Sequence, residues 1–72
     1  MGTSYSIVID AYGWTPKESI RALDAKIAYK YNGRVSENFR TGEFFVMANN
    51  KPRKVHVEKS NTGLYRAYIK IY

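Results

Sequence analysis

Seventy-two residues, 44% of them hydrophobic and 15% aromatic, suffice for a single domain over residues 1–72 with one modest core. The lack of cysteine excludes disulfide stapling, thiol catalysis and cysteine-ligated zinc. Twelve Lys and Arg against six Asp and Glu leave a net charge of +6, which points to acidic partners: nucleic acid or an acidic protein surface.

The chain opens Met1-Gly2-Thr3-Ser4-Tyr5, with neither the basic nor the apolar region of a secretion signal. No apolar run approaches the roughly 20 residues of a membrane span. A cytoplasmic protein without a membrane association is expected. Tyr5 to Tyr12 is β-branched and aromatic and predicts a strand, with Tyr5, Ile7, Ile9 and Ala11 on one face and Ser6, Val8, Asp10 and Tyr12 on the other.

Gly13 ends that strand, and Thr15-Pro16-Lys17-Glu18 reads as a helix start. The Thr15 hydroxyl suits the Glu18 amide, and proline fits the first helical position. Ile20, Leu23, Ile27 and Tyr31 recur three and four apart and predict the buried stripe, with Gly33 as the stop. Trp14, just before the cap, is expected to pack against the helix entry. Left exposed with Tyr12 and Phe44 or Phe45, it would instead anchor a protein partner.

Arg34 to Gly42 has no clean period and reads as a loop, with Val35 and Phe39 tucked or in a short strand. Period two returns in Glu43–Ala48, followed by the turn Asn49-Asn50-Lys51-Pro52 and a strand over Arg53–Lys59 with Val55 and Val57 inward. After the Ser60–Gly63 turn, Tyr65, Ala67, Ile69 and Ile71 alternate inward against Leu64, Arg66, Tyr68, Lys70 and Tyr72. The fold class is therefore α+β: a single amphipathic helix packed on one face of a three- to four-stranded antiparallel sheet, order β-α-β-β-β.

One helix leaves the opposite sheet face without a partner, and that face carries the candidate site. Its binding residues are Lys51, Arg53 and Lys54 at the hairpin, His56 beyond it, and Arg66, Tyr68, Lys70 and Tyr72 on the last strand. Cations would contact phosphates while tyrosines stack on unpaired bases, the logic of a non-enzymatic RNA- or DNA-binding module. No Lys/Arg-Gly-aromatic-Gly core is present, so no RNA-recognition motif is assigned.

The alternative is a protein-binding inhibitor, of the kind small phage or mobile-element proteins provide, that blocks a charged site on a larger complex. A minor alternative joins His56 and Glu58 as acid and base with Arg66 as phosphate clamp, making a metal-independent ribonuclease. One histidine and no cysteine support neither a metal site nor a cofactor. The apolar, aromatic last strand, if it lies at an edge, would pair with its own copy in a homodimer.

Overall fold

The helix forms where its capping chemistry puts it. In the computed structural model, which describes residues 7–48 and 50–71, α1 spans Pro16–Tyr31. Thr15 holds the extended backbone of an N-cap, and its Oγ1 accepts the Glu18 amide at 3.1 Å. At the far end the left-handed residue is Asn32 (φ 54°), one position earlier than the expected glycine. Asparagine tolerates that region, so Gly33 is freed to pass close to Ile27.

The buried stripe is Ser19, Leu23 and Ile27, with Ile20 half-buried and Tyr31 53% exposed. The expected face holds at Leu23 and Ile27, and the addition of Ser19 is caused by the strand before the helix. β1 (Ile7–Gly13) ends against the first turn of α1 so closely that a Cβ on Gly13 would lie 2.5 Å from the Ser19 nitrogen. Only a small residue fits at 19, and its hydroxyl is satisfied by donating to the Pro16 carbonyl at 2.7 Å. Trp14 is 73% exposed and does not pack on the helix entry, because the backbone approach leaves it no room on the inner side.

Among the described residues six strands follow the order β-α-β-β-β-β-β in two antiparallel three-stranded sheets. The first has the order β1-β6-β5, with β5 at His56–Lys59 and β6 at Tyr65–Ile71. The second has the order β2-β3-β4, with β2 at Val35–Asn38, β3 at Glu43–Ala48 and β4 at Lys51–Lys54. The fold is α+β, one helix packed against antiparallel sheets.

Three details differ from the sequence expectation. The segment expected as a loop contains β2, because Asp24 on the helix holds the Val35 amide at 2.8 Å and presents Val35 to Val46 across the ladder. The turn is tighter than Asn49 to Pro52: Ala48 already pairs with Lys51, and Asn50 takes φ 62°. The strand expected over Arg53–Lys59 is interrupted at Val55, where the chain changes partner. Its first half pairs with β3 and its second with β6, and the Val55 amide donates to the Phe44 carbonyl at 2.9 Å.

The last strand is central, paired with β1 along its length but with β5 only over Tyr65–Tyr68, so the edge left for a second copy is confined, among the described residues, to Ile69–Ile71. Tyr5, Ser6 and Tyr72, which the sequence placed on strands, lie outside the described residues. Ile9, Leu23, Ile27, Val46, Val55, Ala67 and Ile69 form the core, α1 covering β1 and β6. Val57 shares the Ala67 side but sits on the edge strand β5 and remains 37% exposed. Among the described residues no helix is long and apolar enough to cross a membrane.

Candidate binding face

Residues opposite one another on antiparallel strands share a face, so the registers define the surface turned away from α1. On the first sheet it presents Val8, Asp10 and Tyr12 from β1, Arg66, Tyr68 and Lys70 from β6, and His56 and Glu58 from β5. Across Val55 the alternation continues to Lys54 and Pro52, opposite Phe45 and Met47 of β3. Five of the eight expected site residues meet here: Lys54, His56, Arg66, Tyr68 and Lys70.

The other three do not join them. Lys51 is exposed at the hairpin end. Arg53 pairs with buried Val46 and therefore lies on the inner side, half-buried. Tyr72 is outside the described residues.

Tyr68 is the centre of the face. Its ring stacks on His56 with centroids 5.1 Å apart and planes 26° from parallel, and the Arg66 guanidinium sits 4.5 Å from the same ring centroid. Arg66 also donates from Nε to Asp10 at 2.9 Å and from Nη1 to Glu58 at 3.0 Å. These two carboxylates hold its guanidinium above the usual arginine range, Asp10 contributing most. Arg66 is thereby fixed in place with its charge answered.

The ribonuclease reading needs Glu58 as a base and Arg66 as a phosphate clamp. In the structure those two side chains bind each other. Lys54 is likewise held, 2.7 Å from Glu43, and its hydrogen bond lowers the Glu43 pKa. Asp10, Glu43 and Glu58 thus stand against Lys54, Arg66 and Lys70, and the face is balanced in charge although the chain is not. Among the described residues no three His, Asp or Glu side chains are grouped to hold a metal.

No protein-family model, curated protein or solved structure matches this chain. Its functional reading rests on the geometry of the face and its surroundings.

The second-sheet half of the face is concave and largely apolar. A hollow of about 550 Å³ lies over Phe45, Met47 and Pro52, bounded by Asn38, Glu43 and Lys54. Beside it the β2–β3 turn carries Phe39, 92% exposed, at its tip. The turn is well tied. The Asn38 carbonyl accepts the Thr41 and Gly42 amides at 3.2 and 2.7 Å, and its Oδ1 accepts the Arg40 amide at 3.0 Å.

Sequence reasoning placed Phe39 in a tucked loop or a short strand, named Phe45 among the possible aromatic anchors, and passed over Met47. The signal for the pair was present in the period-two pattern of β3, which puts both opposite buried Val46. The exposure of Phe39 was signalled only by its place between Asn38 and Gly42, both turn formers.

Proposed function

We propose that this chain is a non-enzymatic binding module that docks its outer sheet face onto a protein, and so blocks a site on a larger complex. The observation that carries this reading is the charge-balanced, aromatic composition of the face around Tyr68, continuous with the apolar hollow at Phe45 and Met47. Fixed aromatic and arginine side chains beside an apolar depression suit a protein surface, where pre-ordered anchors lose little entropy on binding. The cysteine-free composition fits a reducing cytoplasm as its place of action.

The test is affinity capture from an extract of the source cells. The wild-type chain should retain a specific protein that Met47→Asp and Tyr68→Ser chains release, while Tyr29→Ala on the exposed helix surface retains it. Equal retention by all four would sink the proposal.

Nucleic-acid binding is the second reading, favoured by the net charge of +6 and by Lys70, exposed beside the ring ladder and free of ion pairs among the described residues. Binding of a labelled single-stranded RNA or DNA to this face should weaken steeply with salt. Unchanged anisotropy even at low salt would remove this reading and leave the first standing.

A further inference from the structure

We infer that the cleft between the first two turns of α1 and β3 is a docking site for an acidic peptide segment carrying an apolar anchor. It shares Phe44 with the hollow of the outer face and is otherwise lined by different residues. The cleft has a volume of about 420 Å³ and is lined by Pro16, Ile20 and Phe44 together with Lys17 and Arg21.

Lys17 and Arg21 are four residues apart and neighbours on the helix surface. Both are exposed, and neither forms an ion pair among the described residues. The carboxylates neighbouring in sequence or register are Glu18 and Asp24, each three residues from Arg21 on α1, and Glu37, opposite Phe44 on β2; none lines the cleft, and Asp24 is paired with Arg34. An apolar floor therefore adjoins two unanswered positive charges. Next to a low-dielectric wall their attraction for carboxylates is stronger than on an open surface.

Charge complementarity selects the occupant. A second copy of this chain fits poorly through Phe39, the most exposed large apolar side chain among the described residues, because Arg40 follows it as a like charge to Lys17 and Arg21. A nucleic-acid phosphate would answer the cations but leave Ile20 and Phe44 uncovered. An aromatic or branched aliphatic side chain flanked by Asp or Glu satisfies both parts of the cleft.

The test is a titration of the isotope-labelled full chain with the acetylated peptide Glu-Asp-Phe-Leu-Asp-Glu, followed by amide chemical shifts, beside a control peptide with lysine at every acidic position. Saturable shifts centred on Lys17, Ile20, Arg21 and Phe44 are expected with the acidic peptide alone. Lys17→Glu with Arg21→Glu should weaken binding by at least about tenfold. Lys17→Gln with Arg21→Gln serves in its place if circular dichroism shows the reversed chain unfolded.

Met47→Asp should leave this binding unchanged, so failure of outer-face docking and failure of the cleft are read separately. The inference is overturned if no saturable shift appears at millimolar peptide, if both peptides bind alike, or if the shifts map to Phe45 and Lys54.

Discussion

A single carboxylate, Asp24, ties the helix to the second sheet. Its Oδ1 accepts from Arg34 Nε at 3.0 Å and from the Val35 amide at 2.8 Å, and its Oδ2 accepts from Arg34 Nη2 at 3.0 Å. The Arg34 hydrogen bond does most to hold the Asp24 pKa below its ordinary value. A carboxylate lowered on folding adds stability at neutral pH and loses it as pH falls through the folded value, below about 4. Arg34 is well exposed, so screening leaves the backbone amide as the more durable partner.

Asp24→Asn should therefore cost about 1–2 kcal/mol at pH 7. The difference in urea midpoint from the wild type should shrink as pH is taken from 7 down to 3. A constant difference at both pH values would show that charge plays no part.

At the scale of the element, the Gly13–Ser19 contact sets how the helix seats on the sheet. Gly13→Ala drives a methyl into backbone atoms of Ser19 and Glu18 that no rotamer change moves. An overpacking cost of about 2–3 kcal/mol is expected. Thermal melting reads it, and an unchanged Tm would mean the strand and helix part easily.

This contact also explains what could be read in advance. The Thr15 cap was legible because its chemistry is local, within three residues. The buried stripe was legible at Leu23 and Ile27, with Ile20 packed against the core, but apolar periodicity missed Ser19, the small residue that the docking geometry selects beside Ile20. β2 was hidden because Val-Ser-Glu-Asn has one apolar residue and is held by a carboxylate from another element. The members of the outer face followed from alternation. Its charge balance did not, since Asp10 reaches Arg66 only through a pairing 56 positions apart in sequence.

Across the whole molecule, stability rests on few side chains. Among the described residues seven apolar side chains are buried, and Val55 stands between β4 and β5, where the chain passes from one sheet to the other. Nothing in the alternation of Lys54 to Glu58 announces the change of partner there, so the split of the sheet was not readable. Val55→Ala removes two methyl groups at that junction and should cost about 2–3 kcal/mol in urea unfolding. Hydrogen exchange should rise in β4 and β5 ahead of β1. Uniform loosening of all strands would refute a special role for the junction.

The first sheet has two edges, β5 and β1, and the guard of β1 comes from elsewhere. Lys26 reaches from α1 to donate to the Asp10 carbonyl at 2.8 Å, placing an ammonium group on a strand border where another chain would otherwise add. Protection of this kind lasts only while the helix stays seated. A form with the sheet intact and the helix lifted away would expose an unguarded strand and an oily underside together. Aggregation of concentrated solutions is therefore expected to begin with helix undocking, and Lys26→Ala should hasten it without a matching fall in Tm.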